Sequence, residues 1–215
     1  MGRYRRGHWA GAEILATVKG EVGVKNKKII VLDPGHGGQD PGAVANGLVE
    51  KFIVWELAQR VKEKLAGRNA EIIIVQPSLS NPKSTARDEL YKPPQEANRL
   101  KADFYLSLHV NAGGGEGFES FVHPAAKNKP ADALRNRLHS QIMQYLARHK
   151  VKDRGCKYAD FAVLRLTHMP AVLLECLFMD HTGDAQLLKN HDFLDGLANE
   201  IAYGLMVTLS LEGEA

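Results

Sequence analysis

A β-branched run, Ile29-Ile30-Val31-Leu32, leads straight into Asp33-Pro34-Gly35-His36-Gly37-Gly38, and this junction constrains the fold more than any other stretch. The run drives the chain into the interior as a strand. Pro and Gly then break it and present one histidine at the strand's exit. Loops leaving buried strands are where open α/β sheets place ligands. Glycines on either side leave the backbone clear for close approach. His36 is therefore a candidate metal ligand or catalytic residue, although a Gly-rich loop can equally cradle a phosphate.

Strand and helix signals alternate along the rest of the chain, which predicts an α/β fold. Strands are expected at Lys28–Leu32, Glu71–Val75, Asp103–Val110, Gly117–Val122, Phe161–Arg165 and Ala171–Phe178. A helix is expected from about Glu50 to Ala66, with Val54, Leu57, Ala58, Val61 and Leu65 on one face and Gly67 as its stop. Further helices are expected near 94–101, at 130–149 and at about 192–209. Residues 76–93, with Pro77, Pro82 and Pro93, read as a loop. The result is a single domain, a central sheet of about six strands flanked by helices on both faces. At 215 residues and 44% hydrophobic content the chain can supply the core this requires.

Composition excludes several classes. A net charge of +3 permits contact with anionic polymers without demanding it, and no dense basic patch marks a nucleic-acid partner. No run approaches the ~18 apolar residues of a membrane span. Cys156 and Cys176 form no Cys-x-x-Cys pair, so thiolate zinc sites are excluded and both are expected to be small buried hydrophobes. Arg3, Arg5 and Arg6 followed by Ala10–Val18 resemble a signal peptide only faintly, because Glu13 interrupts the apolar stretch. Residues 1–27 are read as a basic extension of unknown role, and 28–211 as the catalytic domain.

Two polar residues interrupt apolar strands. His109 stands near the C-terminal end of Phe104–Asn111, and Glu175 is alone among apolar side chains in Ala171–Phe178. Burying an isolated charge costs several kcal/mol unless a partner offsets it. Each has a bland explanation: a core histidine bonded to backbone, a carboxylate paired with an arginine. Glu50, in the first turn of the first helix, also suits the helix dipole. Taken together the set says more. Two histidines and a glutamate match the protein ligands of a catalytic zinc site, which leaves its fourth position to water. A further carboxylate nearby serves as the base. In this reading His36, Glu50 and His109 bind one Zn2+ per chain, and Glu175 is the general base.

At these residues the chain resembles the zinc-dependent N-acetylmuramoyl-L-alanine amidases. The resemblance runs over most of 28–209. It includes Leu32–Gly38, Gly47–Lys51, Ala97-Asn98, Ala102-Asp103, Ser107–Ala112, Gly117–Ser120, Val163–Arg165 and Met169–Glu175, in that order. It implies a mixed sheet flanked by helices, with His36, Glu50 and His109 as metal ligands and Glu175 as the catalytic glutamate. It implies hydrolysis of the amide joining muramic acid to the first alanine of the peptidoglycan stem peptide. Asn111 and Arg165, beside motif residues, are candidate substrate contacts. After Glu175 the family's usual Gly-Phe gives way to Cys176-Leu177-Phe178. A monomer is expected, acting at the bacterial cell wall as an autolysin or endolysin does, after secretion or release by lysis. With no wall-binding module after 209, targeting is expected from the domain itself, the basic extension or a partner.

The remaining histidines draw plain readings. His139 and His149 are expected to face solvent, while His123 and His168 are the two to check against the metal site. Competing functions are another zinc peptidase acting on stem peptides, a non-catalytic wall-binding module, or a phosphate-binding protein. The last explains none of Glu50, His109 and Glu175, and no Lys-Ser/Thr follows the glycines.

Overall fold

In the computed structural model, which describes residues 27–75 and 85–213, the β-branched run forms a central strand. This strand, β1 (Lys28–Pro34), precedes a small hairpin of β2 (Val44–Ala45) and β3 (Leu48–Val49), which delivers the chain into helix α1 (Glu50–Lys64). There follow β4 (Ala70–Ile74), α2 (Ala86–Arg99), β5 (Phe104–Asn111), β6 (Phe118–Val122), α3 (Pro130–Leu146) and β7 (Asp153–Tyr158). The chain closes with α4 (Ala162–Arg165), β8 (Ala171–Phe178), α5 (Thr182–Leu188) and α6 (His191–Leu209).

The six-stranded sheet has the order β4-β1-β5-β8-β6-β7. Its first four strands run parallel, β6 is antiparallel to β8, and β7 is parallel to β6. This is the expected mixed α/β sheet. Alternation along the strands sends their side chains to two cores. Ile30, Leu32, Phe104, Leu106, Leu108 and Leu174 meet α1, α3 and α6 on one face. Val31, Tyr105, Leu173 and Phe121 meet Ala97 of α2 and Val163 and Leu164 of α4 on the other.

Three elements differ from expectation. Phe161–Arg165 is not a strand: Phe161 caps the one-turn helix α4. A four-residue apolar run, Phe161–Leu164, carries no period that separates the two. The sixth strand is β7 instead, whose polar sequence Asp-Arg-Gly-Cys-Lys-Tyr suits a half-exposed sheet edge and hides it from hydrophobic patterning. Residues 86–93 are helix, not loop. Thr85 and Asp88 form a capping box that starts α2, and Pro93 and Pro94 lie inside it with their rings buried. That burial offsets the backbone bonds the prolines cannot make.

Two side-chain expectations also change. His139 is buried against the Phe118 ring, with centroids 5.0 Å apart, because α3 packs directly on β6. Its nitrogens meet Ser120 Oγ at 2.8 Å and Asp153 Oδ1 at 3.0 Å. Cys176 is buried as expected, but Cys156 on the edge strand is exposed. His149 is exposed. Apart from Lys27, the basic stretch lies outside the described residues, as do 76–84 of the expected loop. No helix among the described residues is long and apolar enough to cross a membrane.

Candidate metal centre and active site

β1 ends at Pro34, and Gly35 N–H donates to Leu108 O at 2.9 Å, which holds the exit of β1 against β5. His36 follows with a left-handed backbone (φ 65°), an uncommon state for a residue with a side chain. A tight turn, closed by reciprocal Gly37–Asp40 backbone bonds, fixes it there. The β2–β3 hairpin then returns the chain so that Glu50 enters buried at the start of α1. His109 arrives independently, on β5.

These three side chains converge. His36 Nε2 lies 3.1 Å from Glu50 Oε2, and His109 Nδ1 lies 3.1 Å from Glu50 Oε1. One ligand atom from each falls within 4.8 Å of the others, a cluster able to hold a metal ion. Two imidazole nitrogens and one carboxylate gathered this closely are the donor types of a catalytic zinc site. Glu50 is aimed by backbone: Ala43 N–H donates to Oε2 and Val110 N–H to Oε1, each at 2.9 Å. Asp40 Oδ2 faces His36 Nδ1 at 3.0 Å, leaving Nε2 for a metal. Space is made by two glycines. A Cβ on Gly35 would stand 2.1 Å from the His109 ring, and one on Gly42 would stand 2.6 Å from Glu50 Oε2.

The electrostatics point the same way. Burial opposes charge on His36, yet Glu50 and Asp40 outweigh it and raise its pKa to about 9. His109 is also raised, against burial, by Glu50 and Glu175. Burial pushes Glu50 up, but the two histidines hold it far below the ordinary carboxylate range. Without a metal the cluster draws protons, the behaviour of a preformed cation site.

Glu175 projects from β8 into the same cavity, of about 300 Å³, which His36, Asp40 and His109 also line. Burial, with Glu50 and Glu119 adding to it against the pull of His109, lifts its pKa to about 7. Its Oε2 is buried without a hydrogen-bond partner among the described residues. Leu90, Phe161, Val163 and Leu173 supply an apolar wall.

The other expected contacts lie elsewhere. Asn111 donates to Glu119 Oε1 at 2.8 Å, and Arg165 pairs with Asp160 at 2.5 Å; neither lines the cavity. His123 pairs with the same Asp160 at 3.1 Å, His168 accepts no place in the cluster, and its backbone N–H is held by Asn98. Two residues of the site were not foreseen. Asp40 had only its four-residue spacing from His36 as a signal. Glu119 carried the same signal as Glu175, a carboxylate between apolar strand residues.

A model of the N-acetylmuramoyl-L-alanine amidase family matches residues 30–206, which span the sheet and every residue of the cluster. The chain belongs to this family. It is 38% identical over 188 residues to the N-acetylmuramoyl-L-alanine amidase CwlM of Bacillus licheniformis, covering 86% of this chain and 70% of the relative. It is 40% identical over 187 residues to the endolysin of Bacillus phage SPP1, covering 86% and 67%. Among solved structures, the amidase of Clostridium difficile 630 superposes with a TM-score of 0.77 at 29% identity, covering 86% of this chain and 98% of that one. Membership accounts for the order of the motifs around the cavity. The break in the family pattern after Glu175 falls on a β-bulge: His109 faces Glu175 but Asn111 faces Phe178, and Leu177 takes a left-handed backbone (φ 73°).

Proposed function

We propose that this amidase hydrolyses the bond between N-acetylmuramic acid and the L-alanine of the stem peptide in peptidoglycan, using one zinc ion held by His36, Glu50 and His109. Two imidazoles and a carboxylate are a donor set suited to catalytic zinc. When bound, zinc polarises the amide carbonyl and makes water a stronger nucleophile at neutral pH.

The observation that carries the reading is the unpartnered, buried Oε2 of Glu175 in the cavity of the cluster. A carboxylate raised to about 7 can both take and return a proton near neutrality. Glu175 takes the proton of the attacking water and returns it to the departing alanine nitrogen. Asp40 keeps the His36 ring oriented, and the apolar wall limits access of bulk water. We place the enzyme at the bacterial cell wall as a monomer, reached by secretion or lysis. The basic extension and the 28–211 domain boundary belong to the same reading.

The test is digestion of purified peptidoglycan with and without chelator. New N-terminal alanine should appear, vanish with chelator and return with zinc. New reducing ends in its place would refute the reading.

A further inference from the structure

Beside Glu175 the sheet carries a second polar feature. His109 on β5 is the register partner of Glu175 on β8, and Glu175 is the partner of Glu119 on β6. The three side chains therefore stand abreast on one face of three adjacent strands. Glu119 is only 4% exposed, and both its oxygens are used. Oε1 accepts from Asn111, and Oε2 accepts from Arg154 Nε at 2.6 Å and from Lys157 Nζ. Burial opposes its charge, but Lys157 and Arg154 prevail and keep it ionised.

One buried carboxylate thus faces two cations, and Arg154 also lies within electrostatic reach of Glu116, whose own hydrogen bond goes to Lys152. Arg154 donates to Glu119 through Nε alone. Its two terminal amino groups donate no hydrogen bond among the described residues. Its guanidinium lies over the Phe178 ring, 4.7 Å from the centroid, which sets its plane. Arg154 and Lys157 remain partly exposed, at 28% and 37% of their side chains. An anchored guanidinium with its terminal pair open is suited to receive a carboxylate through two parallel bonds.

We propose that Arg154, with Lys157 beside it, binds a carboxylate of the stem peptide, two strands beyond Glu175. This rests on the amidase reading. The lactyl carboxyl of the muramic acid is consumed in the amide, so the carboxylates the substrate retains belong to its peptide side. Among the described residues, no lysine or arginine lines the cavity to receive them. The peptide then runs across β8 and β6 toward β7.

The experiment uses the zinc-loaded full chain and two soluble substrates: muramoyl-L-alanyl-D-glutamate and its counterpart with every peptide carboxylate converted to carboxamide. The acid should be preferred in kcat/KM by at least roughly tenfold, as loss of a charged hydrogen bond requires. Arg154→Gln and Lys157→Gln should each bring that ratio toward one, chiefly through KM, and Arg154→Lys should retain part of it. Calorimetry with the product dipeptide and its amidated form reads the same site without turnover. The acid dipeptide should bind roughly tenfold more weakly to Arg154→Gln, with the amide unaffected. Equal kcat/KM on both substrates in the unaltered chain overturns the proposal. So does a preference that survives in both glutamine variants, or an equal loss on both substrates with a lowered melting temperature, which is the mark of a purely structural pair. If neither substrate is cleaved, the amidase reading fails, and the dipeptide measurement still decides the role of Arg154.

Discussion

Glu175 and His109 face each other across the β5–β8 register, and the hydrogen-bonded sheet holds the unpartnered Glu175 carboxylate beside the metal cluster. A strand holds such a pair more rigidly than loops do, and general acid–base chemistry depends on that fixed geometry. Glu175→Gln keeps the shape and removes the proton-accepting oxygen. It should lower kcat by about 10²–10⁴-fold while zinc content stays near one per chain. Near-normal turnover in this variant, with zinc retained, would take Glu175 out of the mechanism.

Asp40 bonds His36 Nδ1 through one oxygen and Gly42 N–H through the other, each at 3.0 Å. It thereby orients a ligand and pins the turn that brings His36 beside Glu50. Asp40→Asn should weaken zinc binding by about 10–100-fold, read by competition with a chromophoric chelator. An unchanged affinity would show that the turn alone positions His36.

Gly35 has its own test. Any Cβ there lands 2.1 Å from His109 Cε1, a separation no rotamer of alanine can relieve. Gly35→Ala should displace the His109 ring and lose zinc at least as severely as Asp40→Asn does. Retention of tight zinc binding would mean that β1 and β5 separate more readily than their bond from Gly35 to Leu108 indicates.

The metal-free chain should show a defined pH trend. Glu175 is raised from 4.5 to about 7, and His36 from 6.5 to about 9. A folded pKa above the unfolded one gives stability that is full below the unfolded value and lost as pH rises through the folded one. Glu175 therefore withdraws stability between about pH 4.5 and 7, and His36 between about 6.5 and 9. Glu50, held low, has the opposite sign, and its contribution is lost only in strong acid. The melting temperature in chelator should fall steadily from about pH 5 to 9, and the gain on adding zinc should widen over that range as the metal displaces protons. A flat or rising profile in chelator would contradict this account.

Legibility in the sequence followed burial. β1, β5 and β8 are built on apolar runs and were readable as strands, and the residues that broke the pattern of β5 and β8, His109 and Glu175, were readable as the site. β7 was not, because an edge strand exposed to water keeps Asp153, Arg154 and Lys157 and carries no apolar period. The first half of α2 was masked by Pro93 and Pro94, whose burial is a tertiary fact. His139 lay off the stripe of Leu134, Leu138, Ile142 and Leu146, and only the contact of α3 with β6 buries it. Glu119 was legible in principle, since it breaks an apolar strand as Glu175 does.

Leu177 shows how such a local departure can be weighed. Val110 on β5 faces both Cys176 and Leu177 on β8, and Leu177 absorbs the extra residue with φ 73°. A left-handed backbone costs a residue with a side chain roughly 1–2 kcal/mol, which glycine avoids. Leu177 is, however, fully buried in the larger core, beside Cys176 and Met179. Deleting a buried leucine side chain costs about 2–5 kcal/mol. Taken at mid-range the burial outweighs the strain, so Leu177→Gly should destabilise the chain by about 2 kcal/mol, and by no more than about 4 kcal/mol, in denaturant unfolding. Zinc binding should survive, since none of the three ligands rests on Leu177. A glycine variant more stable than the parent would show that backbone strain governs this bulge and that leucine is tolerated there at a net cost.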